Sequence, residues 1–234
     1  MTQLIIGLGN KARHGKDTFA TAVDYHYANQ HAAALRHGLS HYKPVVVQHL
    51  AFADALYREV NLWLSTYGKN WQLDTLKFRP ALEQPDGSAV IIPEWVQPTP
   101  NAEVSKRAPY EKHAKLLQWW GTEYRRSQDP MYWVKQWNAG INPKANIVLA
   151  TDMRFLNEAE AVRVLGGFTV QVNRKNVDGT RFIDGSRDPL HPSETQLDGY
   201  NYDFEITVKT GDQSLLEEYA ITLVHYLRAL KGHK

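Results

Sequence analysis

Cysteine is absent from the chain. Disulfides and thiolate metal sites are therefore excluded, which fits a reducing cytoplasm. No run of 18 apolar residues occurs, so no membrane span is expected. The opening residues pass straight into a strand-like segment, without the pattern of a cleaved leader. An excess of one charge is missing too. Lys and Arg number 27 against 25 Asp and Glu, a net charge of +2, too weak for composition to argue for a nucleic-acid partner. There is no internal repeat and no low-complexity segment. What remains is 234 residues with 43% apolar content, enough for one α/β domain with insertions or two small domains.

The stretch that organises the chain is residues 3–23, QLIIGLGNKARHGKDTFATAV. Leu4-Ile5-Ile6 reads as a buried parallel strand and Thr18 to Val23 as the beginning of a helix. Between them lies a loop, Asn10 to Thr18, dense in small and basic residues. Strand, glycine-bearing loop and helix with Gly15-Lys16 at the turn is the context of a phosphate-binding P-loop. Such a loop points backbone N–H groups at an anion, and the helix adds its positive end. On this reading Lys11, Ala12, Arg13, His14, Gly15, Lys16, Asp17 and Thr18 surround the phosphates of a nucleoside triphosphate, and Lys16 reaches the β and γ groups. The usual pattern is G-x-x-x-x-G-K-[ST]. Here Asn10 stands where the first glycine belongs, and Asn tolerates left-handed backbone angles. Asp17 replaces the Ser/Thr that touches Mg²⁺, so it holds the metal directly or through water.

Further along, a helix is expected from Thr18 to about Ala34, with Gly38 at its end, then a strand over Val45 to Leu50 and a helix from Ala55 to Ser65. This order puts Phe52 and Asp54 at the carboxyl end of a strand, where open α/β sheets bind ligands. Residues 66–110 carry six prolines and a Pro85-Asp86-Gly87 turn signal. They read as an inserted excursion rather than a domain, either a surface insertion or a flap over an acceptor site, with Ala89 to Ile92 as one arm of a hairpin. A helix is expected over Tyr110 to Arg126. On it Gln118, Thr122 and Arg125 or Arg126, at three- and four-residue spacings, form a polar row. Most of the tryptophans read as core. Asp129-Pro130 opens the next helix, Met131 to Ala139, and Ile147 to Ala150 is the clearest later strand. It leads into Asp152, placed as a Walker-B-like acid that binds Mg²⁺ through water or orients a nucleophile. A helix over Asn157 to Leu165 and a strand over Phe168 to Val172 follow. The basic, glycine-bearing segment 174–196, with Arg174, Arg181 and Arg187, reads as a lid over phosphates or as an ordinary charged loop. Ser193 is expected to cap a short helix. A strand near Phe204 to Val208 and a helix from Ser214 to Leu230 end the chain.

Several of these blocks together resemble the bacteriophage deoxynucleoside monophosphate kinases, within the P-loop nucleotide kinases. The blocks are Gly15-Lys16-Asp17-Thr18 with Arg13 upstream; Phe52-Ala53-Asp54; Leu117-Gln118-Trp119-Trp120-Gly121-Thr122-Glu123 before an arginine; Asp129-Pro130 with Trp133; Asp152-Met153-Arg154-Phe155-Leu156-Asn157-Glu158; Gly166-Gly167; and His191-Pro192-Ser193-Glu194. They keep the family order over about residues 3–208. Gly-Lys-Asp-Thr alone is shared with phosphomevalonate kinases; the Asp-x-Arg-x-x-Asn-Glu and His-x-Ser-Glu blocks are more specific. The departures are the extra residue between Gly9 and Gly15, Tyr57 in place of a lysine, and the 66–110 insertion.

The resemblance implies a single P-loop kinase domain over 1–234, a three-layer fold with a central, mainly parallel sheet, an acceptor-site insertion and a lid. It implies transfer of the γ-phosphoryl of ATP, with Mg²⁺, to a deoxynucleoside 5′-monophosphate. Lys16, Asp152 and Arg13 are then catalytic, and Asp17 and Asp152 are metal ligands. Phe52, Asp54, Gln118, Thr122, Arg125, Arg126 and Arg154 bind the acceptor, while Arg174, Arg181 and Arg187 act from the lid. Arginine forks at Arg154 and at Arg125 or Arg126 suit a phosphate dianion; a competing role for Arg154 is a surface pair with Glu158. ATP and the monophosphate are the expected partners, with no nucleic acid and no membrane, in the cytoplasm (the host's if phage-encoded), and with room for a homodimer. The rival readings are a P-loop kinase of another phosphorylated acceptor, such as dephospho-coenzyme A, and a non-enzymatic nucleotide-binding protein on the same scaffold.

Overall fold

The computed structural model describes residues 3–67, 81–83, 89–91, 114–185 and 188–232. The chain divides into two compact units. One is Met1–Phe52 with Val134–Lys234, the other Ala53–Trp133, so the 66–110 excursion falls inside the second.

The elements run β1 (Leu4–Gly9), α1 (Lys16–Arg36), β2 (Val47–His49), α2 (Asp54–Tyr67), β3 (Ala81–Glu83), β4 (Ala89–Ile91) and α3 (Ala114–Gln118). Then come a π-helix (Trp119–Arg126), α4 (Tyr132–Gly140), β5 (Ile147–Met153), α5 (Leu156–Val164), β6 (Phe168–Lys175), α6 (Pro192–Thr195), β7 (Phe204–Lys209) and α7 (Gln213–Leu230).

In the first unit, β2, β5, β1, β6 and β7 form a five-stranded sheet in that order, every neighbouring pair parallel. All six residues of β1 are buried, as a continuous apolar strand at the centre of a parallel sheet must be when both faces are covered. Its side chains alternate between two cores. Leu4, Ile6 and Leu8 join Phe19, Val23 and Tyr27 of α1 and Leu216, Val224 and Leu227 of α7. Ile5 joins Val148, Ala150 and Met153 of β5, Val162 of α5 and Trp137 of α4. Helices therefore cover both faces of the sheet, an arrangement compatible with a three-layer α/β fold. The chain steps from β1 outward to β2 on one side, and later to β6 and β7 on the other. Ligand crevices in open α/β sheets lie at the carboxyl ends beside such a reversal of strand order.

The second unit has its own core of Leu56, Val60, Trp63, Leu116, Trp119, Trp120 and Trp133. The expected core role of the tryptophans holds for these and for Trp137. The core comes from α2 and from residues 114–133, which flank the excursion. Within the excursion, Ala89–Ile91 pairs antiparallel with Ala81–Glu83, so the expected hairpin arm has its partner. The Pro85-Asp86-Gly87 turn lies outside the described residues. Residues 119–126 are wound as a π-helix, whose i→i+5 bonding widens the turn. Gln118 and Arg125, two α-turns apart, therefore no longer share a face, while the four-residue steps from Gln118 to Thr122 and Arg126 stay close to one face. Gly121 lies where a Cβ would stand 3.2 Å from Leu56, and its carbonyl accepts the Trp133 indole N–H at 2.8 Å.

Among the described residues, no helix is long and apolar enough to cross a membrane.

Candidate functional site

The loop between β1 and α1 is shaped by backbone angles that few residues tolerate. Asn10 (φ 104°), Arg13 (φ 58°) and Gly15 (φ 97°) are all left-handed. Asn10 fills the first position as its sequence role requires. Its amide nitrogen donates to the Val172 carbonyl at 3.0 Å and to the Asn173 side chain, anchoring the loop to β6. Glycine is needed at position 9 for a different reason, because a Cβ there would sit 2.5 Å from the Tyr202 ring. Gly15 is the N-cap of α1 and makes no side-chain cap, so the first turn of a 21-residue helix opens onto the loop. Orphan amides at such a helix start favour an anion.

Lys16 is buried, and its Nζ donates to the carbonyl oxygens of Asn10 (2.9 Å) and Lys11 (2.5 Å). The ammonium is thus curled back over its own loop. Burial above all, then the Arg154 charge, pull its pKa down to about 7, against the opposing carboxylates of Asp17, Glu194 and Asp152. His14 is buried beside it. Its Nδ1 accepts the Arg174 backbone N–H at 3.0 Å, which assigns the ring proton to Nε2. Nε2 is shielded from solvent and has no hydrogen-bond partner among the described residues. Burial, then the charges of Lys16, Arg181 and Arg174, lower the His14 pKa to about 4, so the ring is neutral at pH 7.

The carboxyl end of β5 lies beside the loop, since β5 pairs with β1. Asp152 is within the strand rather than after it, and its Oδ1 accepts the Phe52 backbone N–H at 2.7 Å. Arg154 follows at the entrance to α5. The buried Glu158 carboxylate takes the backbone N–H groups of Arg154 (2.7 Å) and Phe155 (3.2 Å), which sets the turn that presents the guanidinium. Arg154 does not form the surface pair with Glu158. Its guanidinium pairs with the buried Glu194 carboxylate and reaches the Ser193 carbonyl at 3.2 Å. Glu194 in turn accepts the Ala12 loop N–H at 3.4 Å. A carboxylate thus links the arginine to the loop, and a small recess there is lined by Asn10, Lys11, Arg154, Ser193, Glu194 and Tyr202.

The other named residues have varied surroundings. The Phe52 side chain is core, stacked on Trp137 at 4.6 Å, because an aromatic at a strand end packs more readily under the adjacent helix than into solvent. Lys11 pairs with Asp198 at 3.1 Å, and both line the same recess. Arg13 is exposed, with Asp184 at 3.7 Å. Arg174 belongs to β6 and not to a loop: its Nε donates to Thr210 Oγ1 at 2.9 Å and its guanidinium lies over the Phe182 ring at 4.3 Å. A tight turn then brings Arg181 back to bridge Lys175, so the first part of 174–196 is an extension of the sheet. Arg187 lies outside the described residues. The cap of α6 is His191, whose side chain accepts the Ser193 N–H, and not Ser193.

In the second unit, Arg125 is committed to Glu59 and lies over the rings of Tyr124 (4.7 Å) and Tyr132 (4.9 Å). Glu59 also accepts Trp120 Nε1 and Tyr132 Oη, each at 2.9 Å. Burial, then the Glu59 hydrogen bond, push the Tyr132 pKa up to about 12. The sequence position of Arg125 beside Arg126 did not reveal its pairing with Glu59. Asp54 opens α2, while Thr122 and Arg126 lie in the π-helix, all half-buried. The Gln118 amide nitrogen is shielded and has no hydrogen-bond partner among the described residues.

Glu158, Glu194 and Glu59 were not singled out as site residues from the sequence. The first two stand in the quoted motifs, and a glutamate in such a block was the available signal. Among the described residues, no three or more His, Cys, Asp or Glu side chains gather as a metal site. Asp17 is exposed on the first turn of α1, with Thr18 next to it and Asp152 on the neighbouring strand. Such hard oxygen donors suit Mg²⁺, which keeps much of its water and takes few protein ligands beside substrate phosphates. The chain matches no protein-family model and no curated protein sequence.

Proposed function

We propose that this chain is a P-loop phosphotransferase that moves the γ-phosphoryl of ATP to a deoxynucleoside 5′-monophosphate. The observation that carries the reading is the buried Lys16 ammonium, folded onto the carbonyls of a left-handed loop at the start of a long helix, with its pKa lowered to about 7. A buried cation without a carboxylate partner is a costly arrangement, and a phosphate anion offsets that cost. The neutral His14, with its unpartnered Nε2–H, fits the same need for an acceptor. The identity of the acceptor rests on the resemblance of the Asp152–Glu158 and His191–Glu194 blocks to the phage kinases.

In the proposed reaction a phosphate oxygen of the acceptor forms a bond to the γ-phosphorus while the β–γ bridging oxygen departs with ADP. The nucleophile is already anionic, so no general base is required; positioning and charge neutralisation supply the rate. Lys16 and the loop amides stabilise charge on the transferred group. Arg154, held by Glu194 and aimed by Glu158, grips the acceptor phosphate as a fork. Asp17 and Asp152 would hold Mg²⁺, which when bound screens the charge of the phosphates. Reading of the acceptor's base by Gln118 rests on the resemblance alone.

The test is ADP formation from ATP and Mg²⁺ with each common dNMP and NMP supplied singly. ADP release that depends on a dNMP supports the reading. ATP binding without acceptor-dependent ADP release overturns it, and release only with an unrelated phosphorylated acceptor reassigns the substrate.

A further inference from the structure

Far from the loop, α1 and α7 bring two imidazoles together edge to face. His26 Nε2 lies 3.1 Å from His225 Nε2, and the Gln30 amide approaches the same His26 nitrogen at 2.9 Å. Ten residues of helix, roughly 15 Å at 1.5 Å per residue, separate His26 from Lys16, so this cluster is not part of the phosphate loop. At 3.1 Å, two ring N–H groups cannot point at each other, so at most one proton lies between the nitrogens and at least one lone pair faces inward. Burial and the neighbouring His225 lower the pKa of His26. The rings meet at 66° with centroids 4.9 Å apart, so the two nitrogens converge without the rings stacking. Arg228, the cation one turn beyond His225, is held away by the Tyr27 hydroxyl at 3.0 Å.

We propose that His26, His225 and Gln30 form a binding site for an imidazole-preferring divalent transition metal, such as Ni²⁺, Cu²⁺ or Zn²⁺, that staples α1 to α7. An ion bound at 2.0–2.1 Å from both nitrogens would see them at an angle of about 98° for the 3.1 Å separation. That lies between the square and the tetrahedral value, so either geometry is reached with small side-chain movement. The Gln30 amide, turned about its last bond, offers its oxygen in place of its nitrogen. His225 is exposed and His26 half-buried, which leaves an entry path and open positions for water. Imidazole nitrogen selects these ions over Mg²⁺ or Ca²⁺, so the site is chemically distinct from the phosphate loop. A metal that binds only the folded pairing of the helices stabilises the first unit by mass action.

The experiment uses the full chain without an added polyhistidine segment, stripped with a chelator and titrated with Ni²⁺ by calorimetry and thermal melting. One saturable equivalent per chain and a rise in melting temperature are expected. His225→Ala, on an exposed side chain, should keep the metal-free melting temperature and weaken Ni²⁺ binding at least tenfold. Gln30→Ala should weaken it less, and His37→Ala not at all. As a check that needs no variant, Zn²⁺ should shift the ¹⁵N resonances of Nε2 in His26 and His225 and of no other histidine. Absence of saturable binding, equal binding by wild type and His225→Ala, or zinc shifts confined to other histidines would overturn the site and leave a proton-sharing pair.

Discussion

The two compact units hold their shielded charges in different ways. In the second, Glu59 collects Arg125, Trp120 and Tyr132, and the guanidinium is covered by two tyrosine rings. That cluster is balanced by its own members. In the first, Lys16 meets only carbonyl oxygens within hydrogen-bond range, among the described residues, and the His14 Nε2 proton meets none. On the proposed function, the Lys16 ammonium and the His14 N–H, which their own chain compensates poorly, await an anion from outside, whereas the Glu59 cluster needs none.

The sharpest way to break this contrast is to remove the poorly compensated cation. Lys16→Ala should lower ATP-dependent phosphoryl transfer about 100-fold, or roughly 3 kcal/mol of transition-state stabilisation, with an unchanged circular dichroism spectrum. Near-normal turnover would take Lys16 out of the mechanism. The balanced cluster should answer the other way. Glu59→Gln leaves Arg125 without its counter-charge and should destabilise the protein by about 2 kcal/mol, read as a lower urea midpoint. Activity per folded molecule should persist; a loss of turnover at full stability would instead assign Glu59 to the chemistry.

Arg154 stands between the two cases, being paired with Glu194 yet next to the loop. Arg154→Lys should raise the dNMP KM about tenfold, or 1.4 kcal/mol, and leave the KM for ATP nearly unchanged, because lysine lacks the planar fork. Equal dNMP affinity in both proteins would return Arg154 to a structural role.

A further effect is a pH dependence. The Lys16 pKa is about 7 in the folded chain against an ordinary 10.5. Between those values the unfolded chain holds the extra proton, so stability of the ligand-free protein should rise with pH across that window. Lys16→Met should flatten the rise. His14, with a folded pKa of about 4 against 6.5, costs stability as pH falls from 6.5 towards 4, by the same sign rule. Near pH 8, ATP binding should take up a fraction of a proton as the phosphates recharge Lys16. Calorimetry in two buffers of different ionisation enthalpy measures that uptake, and a null result would mean that Lys16 stays curled on its loop.

The backbone-level features were legible in the chain itself. Leu4-Ile5-Ile6 had to be a buried strand, Asn10 had to accept a left-handed angle, and Gly15-Lys16 had to open a helix. Each depends on side chains only a few residues apart. Helix and strand ends were displaced by a few residues; β6, for instance, runs on through Lys175, which is why Arg174 is a strand residue and not part of a lid. The wider turn at Trp119–Arg126 and the pairing of Arg125 with Glu59, 66 positions away, could not be read locally. The same holds for Glu194, whose burial depends on Arg154, 40 positions upstream, and on the Ala12 amide. A carboxylate in a sequence carries no mark of whether it will face water or a guanidinium. That choice is made by desolvation, and desolvation exists only after distant segments have packed.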